Sequence, residues 1–269
     1  MNELALRSIT GAVYVAVTLL AAWAGPFTTM LLFLPVCVLA AREMRRLVLE
    51  TEDDTVDMWG MLLAATVYVG ISMIAFTDQW GWLEVLGLVF LLLLISSIWL
   101  LFRGTTRPEQ VVGTYFTQLL LVGVPFGTLT HLFSNGSSQF VAFMVMLWTN
   151  DTGAYLVGRA IGRNKLLPAV SPKKTVEGFL GGVLFAVGVG WLVARWLPYL
   201  TPMEWMGAGA LVAVTGTLGD LLESSFKRAR GVKDSGHLLP GHGGLLDRFD
   251  GMLIAAPAMV LYLHLIGKG

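Results

Sequence analysis

The chain has 269 residues, of which 55% are hydrophobic and only 13% are charged. About a quarter of the residues of a soluble domain are charged, and the apolar residues here form long runs, so the composition excludes an ordinary soluble domain and indicates a chain embedded in lipid. The formal net charge is zero and indicates no partner by itself. The single cysteine, Cys37, excludes an internal disulfide.

Long apolar runs predict the fold class. A membrane-spanning helix needs about 20 apolar residues, and helices are expected because the bilayer offers no water to hydrogen-bond the backbone. The run after Arg7 lacks a small-x-small cleavage site, which predicts a retained span rather than a signal peptide. We therefore predict an all-α, polytopic bundle of about nine transmembrane helices, at approximately residues 8–24, 26–41, 57–76, 81–102, 111–132, 138–156, 175–197, 203–222 and 249–267.

The positions of Lys and Arg predict the orientation. Nearly all 18 of them fall in alternate connections between spans, above all in 150–175 and 220–251. Because basic residues accumulate on the cytoplasmic side, the N-terminus is expected outside and the C-terminus in the cytoplasm. Two regions follow: scaffold helices in residues 1–137, and a catalytic region with cytoplasmic nucleotide- and metal-binding loops in residues 138–269.

Acidic, basic and hydroxyl side chains are clustered in the connection between the eighth and ninth predicted spans. If the eighth span stays helical past its apolar run, one stripe of that helix carries Asp220, Glu223, Ser224 and Lys227. Asp247 and Asp250, three residues apart, are expected on one face of the ninth helix. Carboxylates beside basic side chains suit Mg²⁺-assisted chemistry on phosphates. An acid at the depth of Asp220 is costly unless it is functional.

Plainer interpretations exist for several of these residues. Lys227, Arg228 and Arg230 could serve topology alone, and Asp247 or Asp250 taken singly could cap a helix. His242, between glycines, is equally typical of a turn. The pattern as a whole is more specific than its members.

That pattern resembles the signature of the phosphatidate cytidylyltransferase family without a departure. It reads Ser224-x-Phe226-Lys227-Arg228, four residues, Lys233-Asp234, then Leu239-Pro240-x-His242-Gly243-Gly244-Leu245-x-Asp247-Arg248-Phe249-Asp250. The similarity is strong from about Trp148 to Gly251, whereas the first half of the chain matches in hydropathy only.

An earlier segment agrees with this resemblance. Asn150-Asp151 ends the sixth span, and Ser171-Pro172-Lys173-Lys174-Thr175 follows. Ser171 is expected as a helix N-cap with Pro172 in the first turn, where the two lysines and the helix dipole would attract phosphate. Glycines nearby are also typical of helix packing. The segment resembles the family's second nucleotide-contacting stretch.

The resemblance implies an enzyme of phospholipid biosynthesis that makes CDP-diacylglycerol and pyrophosphate from CTP and phosphatidate. It implies catalytic roles for Asp220, Lys227, Arg228, Asp234, His242 and Asp247. Substrate binding is expected from Asn150, Asp151, Ser171, Lys173, Lys174, Thr175, Ser224, Lys233 and Arg248. Mg²⁺, with a second metal or a monovalent cation as a further option, is expected on Asp220, Asp247, Asp151 and Asp250.

The implied partners are CTP, phosphatidate, membrane lipids and a second copy of the chain, with no nucleic acid, in the inner membrane of a bacterium. Three alternatives stay open. A related lipid cytidylyltransferase or polyprenol-type kinase would keep the nucleotide site and change the lipid. An ion-coupled transporter would place acids near mid-bilayer. A CDP-alcohol phosphotransferase would carry an Asp-Gly-x-x-Ala-Arg pattern, which this sequence lacks.

Overall fold

The computed structural model describes residues 3–49, 54–77, 81–103, 107–236, 238 and 243–268, with side chains from residue 10 onward and excluding that of residue 54. Seven helices in these ranges are long and apolar enough to cross a membrane: Pro26–Val48, Thr55–Phe76, Trp82–Arg103, Pro108–Phe133, Ser137–Ile161, Val176–Val193 and Pro202–Ala229. Two shorter apolar helices, Thr10–Ala24 and Met252–Leu265, correspond to the first and last predicted spans. The prediction of a polytopic helical membrane protein is confirmed.

The chain divides into two compact units. The first comprises Met1–His131 and Asp234–Arg248, and the second comprises Leu132–Lys233 and Phe249–Gly269. The helices of the first unit are α1 (Glu3–Ala24), α2 (Pro26–Val48), α3 (Asp54–Phe76), α4 (Trp82–Arg103), α5 (Pro108–Gln118) and α6 (Val124–Thr128).

Helix α3 packs against α2, α4, α5 and α6 and so lies at the centre of the first unit. The Tyr68 hydroxyl of α3 donates to the Met30 carbonyl of α2 at 2.6 Å, which satisfies the one polar atom of a buried aromatic side chain. At one end of the same pair of helices, Arg42 and Arg45 form ion pairs with Asp57. Packing and charge thus tie α2 to α3.

The fifth predicted span is not one regular helix. Between α5 and α6 lies a π-helical turn, Leu119–Gly123, and a 3-10 turn, Leu129–Phe133, follows α6. The buried Gln118 side chain donates to the Ala41 carbonyl of α2 at 2.8 Å. This hydrogen bond fixes the end of α5 against α2.

The second unit contains a small sheet among its helices. Its elements are α7 (Ser137–Ile161), β1 (Lys165–Leu167), β2 (Ser171–Thr175), α8 (Val176–Val193), α9 (Pro202–Ala229) and α10 (Met252–Leu265). The two strands form an antiparallel hairpin with Lys165 opposite Thr175 and Leu167 opposite Ser171. At its entry, Glu177 accepts hydrogen bonds from the backbone N–H groups of Arg163 and Asn164 at 3.0 and 3.2 Å.

The hairpin corrects one prediction. Ser171 and Pro172 lie in β2, not at a helix start, and the N-cap of α8 is Thr175, whose Oγ1 accepts from Gly178 N at 3.1 Å. The predicted cap was wrong because Ser171 has a strand partner in β1, which no local signal revealed. Lys173 and Lys174 consequently project from a strand and not from the first turn of a helix.

Glycines let the second unit's helices approach closely. A Cβ at Gly182 on α8 would lie 2.4 Å from Asn150 Oδ1 and 2.8 Å from the Asn150 carbonyl of α7. A Cβ at Gly219 on α9 would lie 2.4 Å from the Asp250 carbonyl. Such separations are below any real carbon contact, so the backbones meet only because side chains are missing, as the packing interpretation predicted for Gly182.

The segment before α10 is less helical than expected. Asp247 lies in a 3-10 turn, Leu246–Arg248, and α10 begins only at Met252, after a turn that contains Asp250. The two aspartates therefore do not share a face of one helix. By contrast, α9 runs unbroken to Ala229, which confirms the predicted helical stripe beyond Asp220.

Candidate active site

A cavity of about 380 Å³ lies in the second unit and is lined by acidic and basic residues that the sequence analysis named as candidates. Its wall includes Asn150, Asp151, Lys173, Lys174, Thr175 and Asp220. Three elements supply these six residues: α7, β2 and α9. The tertiary structure thus brings together residues that are up to 70 positions apart in the sequence.

The hairpin and the glycine contacts explain this assembly. Close packing of α8 on α7 at Gly182 sets Asn150 beside α8, and Asn150 is 1% exposed. Its Nδ2 donates to Asp151 Oδ1 at 3.4 Å. Strand β2, which runs directly into α8, carries the two lysines to the same wall.

Asp220 has two polar partners on the cavity side of α9. The Lys174 ammonium forms an ion pair with its Oδ2, and Ser224 Oγ donates to its Oδ1 at 3.1 Å. The Lys174 and Asp220 side chains are each 29% exposed. An ion pair that is partly open to solvent can exchange partners when a charged ligand arrives.

A second carboxylate group lies beside Asp220. Burial, together with the nearby charges of Asp220, Glu223 and Asp151, raises the pKa of Asp250 well above its usual range. The close approach at Gly219 brings the turn that carries Asp250 against α9. The arrangement concentrates negative charge that a cation would stabilise.

The oxygen-rich set fits Mg²⁺ on chemical grounds. In the described ranges, no three His, Cys, Asp or Glu side chains are grouped closely enough to hold a metal by themselves. Mg²⁺ is usually bound by one or two carboxylates, with water and substrate phosphates completing its shell. Asp220 and Asp250, with Asp151 across the same region, offer such a partial set.

Two residues predicted to act on phosphate have structural partners in the second unit. Lys227 is 7% exposed and forms an ion pair with the fully buried Glu223 one turn earlier on α9. Arg228 donates to the carbonyls of Val170 and Val232, at 3.2 and 2.8 Å. Arg228 therefore links the hairpin turn to the segment after α9, and neither side chain lines the cavity.

The remaining predicted residues are distributed as follows. Ser171 lies on β2, and Lys233 is exposed at the end of the second unit. Three residues belong to the first unit: Asp247 and the exposed Asp234 and Arg248. His242 lies outside the described residues. The predicted metal set is accordingly shared between units, with Asp151, Asp220 and Asp250 in the second and Asp247 in the first. The roles predicted for these residues stay predictions.

Backbone amides hold Asp247 in the first unit. Its Oδ2 accepts hydrogen bonds from Ser235 N at 2.9 Å and from Gly244 N at 2.8 Å. Gly243 adopts a φ of +80°, and a Cβ there would lie 2.8 Å from Asp247 Oδ2. Glycine is needed at this position for both reasons, which gives the glycine pair of the signature a structural role.

The sequence did not indicate Glu43. This residue of α2 is 7% exposed, and its carboxylate accepts hydrogen bonds from the signature segment, 192 to 203 residues away. One signal could have revealed it, since an acid at the end of an apolar span is costly without partners. Arg42, Arg45 and Arg46 surround it in the sequence and made the stretch look like a topology signal.

Comparison with known proteins identifies what the chain is similar to. A family model described as "Cytidylyltransferase family" matches residues 5–266 and so includes the first half of the chain, beyond the segment on which the signature lies. A phosphatidate cytidylyltransferase of Staphylococcus saprophyticus is 41% identical over 150 residues, which are 53% of this chain and 55% of that protein. One from Staphylococcus aureus is 31% identical over 223 residues, 75% of this chain and 86% of its own length. One from Mycobacterium tuberculosis is 38% identical over 192 residues, 65% of this chain and 58% of its own length.

Proposed function

The chain belongs to the cytidylyltransferase family, and we propose that it transfers the cytidylyl group of CTP to phosphatidate, giving CDP-diacylglycerol and pyrophosphate. The observation that carries this proposal is the cavity in which Lys173, Lys174 and Asp220 meet Asn150 and Asp151. Lysines suit the triphosphate, and carboxylates suit the cation that accompanies it. The family match favours this activity over the kinase and the transporter.

The reaction requires little from a general base. A phosphatidate oxygen, already anionic at neutral pH, forms a bond to the α-phosphorus of CTP. The bond from that phosphorus to the bridging oxygen of the β-phosphate breaks in line, and pyrophosphate leaves with the electron pair. Alignment of the two phosphates and neutralisation of their charge are then the main tasks of the protein.

The cavity's own residues can perform these tasks. Lys174 is ion-paired to Asp220, and a bound triphosphate would compete for its ammonium group. Lys173, exposed on the same strand, would bind the same phosphates. Asn150 and Thr175 offer amide and hydroxyl groups for orienting the nucleotide, within the wall that the lysines share.

Asp220 and Asp247 are each proposed as Mg²⁺ ligands, with Asp151 and Asp250 as candidates for completing or orienting the shell; the bound ion would supply charge neutralisation on the phosphates. A second metal ion or a monovalent cation belongs to the same proposal. The raised pKa of Asp250 supports it, because that carboxyl group is surrounded by like charge that a cation would offset.

The remaining expectations concern the cell. We place the protein in a bacterial inner membrane with the N-terminus outside, the C-terminus in the cytoplasm and the cavity on the cytoplasmic side, and expect a homodimer. The alternate distribution of Lys and Arg supports the orientation, and the bacterial relatives support the membrane. A site at this boundary would meet water-soluble CTP and a lipid whose acyl chains stay in the leaflet.

Purified protein in detergent, incubated with labelled CTP, Mg²⁺ and phosphatidate, tests the function. CDP-diacylglycerol and pyrophosphate should form in equal amounts. Polyprenyl phosphate and diacylglycerol serve as control acceptors, and product from either in place of phosphatidate would support the related transferase or kinase. Ion flux in proteoliposomes without pyrophosphate release would overturn the proposal in favour of a transporter.

A further inference from the structure

The proposed reaction assigns no role to the buried carboxylate of Glu43 on α2. We propose that Glu43 is a positioning residue for Asp247: it fixes residues 234–236 and 243–248 on α2 and thereby sets the orientation of the Asp247 carboxylate. The proposal rests on the proposed function for the role of Asp247, while the contacts that carry it are independent of that role. All of these residues belong to the first unit.

The contacts of Glu43 occupy both of its carboxylate oxygens. Oε1 accepts from Leu245 N at 3.0 Å. Oε2 accepts from Leu246 N at 2.8 Å and from Ser235 Oγ at 2.9 Å. A single side chain from α2 thus binds two described stretches of the first unit, residues 234–236 and 243–248.

Ser235 joins Glu43 to Asp247. Its hydroxyl donates to Glu43, and its backbone N–H donates to Asp247 Oδ2 at 2.9 Å. The second donor to Asp247 is Gly244 N, directly before the two amides that bind Glu43. Movement of Ser235 and Gly244 away from Glu43 would therefore change these two hydrogen bonds to Asp247.

Two glycines make room for this contact. A Cβ at Gly236 would lie 2.5 Å from Glu43 Oε1, and a Cβ at Gly244 would lie 2.6 Å from Glu43 Oε2 and 2.0 Å from Ser235 Oγ. The loop backbone encloses the carboxylate on both sides at distances that only glycine allows. The fit is specific to a carboxylate reaching out from α2.

Two basic residues near Glu43 form ion pairs with α3. Arg42 and Arg45, which flank Glu43 in the sequence, form ion pairs with Asp57 on α3. Arg45 and Asp57 are 2% and 3% exposed. These ion pairs anchor the end of α2 to α3, so Glu43 is presented to the loop from a fixed support.

The chemistry requires an acceptor on both sides. An ionised carboxylate only accepts hydrogen bonds, whereas an amide has one acceptor and one donor group. In Glu43→Gln, whichever way the amide is turned, its NH₂ group would face a backbone N–H, that of Leu245 or that of Leu246. The loop would lose its fixed position although the size of the side chain is unchanged.

The test uses the full-length protein in detergent with Glu43→Gln, and with Glu109→Gln, an exposed carboxylate on α5, as the matched control. Loss of a residue that orients a metal ligand lowers activity by about 10- to 100-fold. We expect that loss in kcat and a rise in the Mg²⁺ concentration for half-maximal rate, with the KM for CTP changed less than about twofold. Amide hydrogen exchange in 234–248 should rise while that of α9 does not.

Ser235→Ala gives a second, milder variant in case Glu43→Gln does not fold. It removes one of the three hydrogen bonds that the described residues donate to Glu43 and should lower kcat by about 2- to 10-fold. In the double variant the two losses should not multiply, because both act through the same loop. Glu109→Gln should match the wild type in every measurement.

Three results would overturn the proposal: unchanged exchange in 234–248 of a folded variant, an effect on the KM for CTP alone, or a loss of kcat that simply follows a loss of folded protein in both Glu43→Gln and Ser235→Ala. Failure of the proposed function is recognised separately, as wild-type protein that releases no pyrophosphate. In that case faster exchange in 234–248 of Glu43→Gln still supports the positioning contact, and unchanged exchange removes it.

Discussion

The two units hold their acidic side chains in opposite ways. In the second unit, Asp220 is ion-paired with the partly exposed Lys174 and bonded to the hydroxyl of Ser224. In the first unit, Glu43 and Asp247 accept mainly from backbone N–H groups. Side chains can rotate away when a ligand arrives, whereas backbone amides in a glycine-enclosed loop cannot.

This difference indicates a division of work. Because Lys174 is proposed to bind phosphate, its ion pair with Asp220 would open when nucleotide binds. The two backbone N–H groups that donate to Asp247 instead keep its carboxylate in one orientation. The described partners of Asp220 are thus suited to exchange, whereas those of Asp247 are suited to fixing a side chain. The following variants test that contrast.

The largest effect is expected from Asp220→Asn and Asp247→Asn. Each substitution removes a charge proposed to bind the cation at the reacting phosphates, and turnover should fall by about 10²- to 10³-fold. Product formation from labelled CTP measures the loss, with thermal unfolding as a check on folding. Near-normal turnover in either variant would remove that residue from the metal role.

Lys174→Met should lower kcat/KM for CTP by about 10²-fold and Lys173→Met by about tenfold. The larger loss is expected at Lys174 because its side chain is half-buried and ion-paired with Asp220, whereas Lys173 is exposed. Steady-state kinetics with varied CTP separates binding from turnover. Equal, small losses in both variants would mean that the ion pair is structural and that the contrast between the units is wrong.

Gly182→Ala should destabilise the second unit by about 1–3 kcal/mol, because its Cβ would overlap Asn150. Gly188→Ala on the same helix is the matched control, since a Cβ there would meet nothing within 4 Å. It should stabilise α8 by about 0.5–1 kcal/mol. Thermal unfolding in detergent measures both, and equal behaviour of the two variants would contradict the proposed close approach of α7 and α8.

The smallest effect is expected from the helix caps. Thr175→Val and Thr201→Val each remove an N-cap hydroxyl, which accepts from Gly178 N and Glu204 N respectively, and each should cost about 1 kcal/mol. Thr201 is the N-cap of α9 and lies about 28 Å from Asp220 along the helix axis. Activity should fall only in Thr175→Val, because Thr175 lines the cavity. A comparable loss in Thr201→Val would show that stability alone governs turnover.

Sequence reasoning succeeded where the relevant neighbours lie within one helix. Asp220 and Ser224 were placed on one stripe by the period of the helix, and their hydrogen bond bears this out. It failed for Ser171, where a cap signal competed with a strand partner in β1. It also failed for Asp247 and Asp250, because the turn between the 3-10 helix and α10 has no periodic signal.

The sequence by itself determined where the helices lie, because long apolar runs in lipid have no other way to satisfy their backbone. It also indicated the family, because its carboxylates, lysines and glycines stand in a specific pattern. Only the tertiary structure decided which distant groups meet. The approach of Glu43 to Leu246, 203 residues along the chain, depends on two glycines and on the ion pairs that fix α2. No local preference encodes such a contact, because it exists only once the helices have packed.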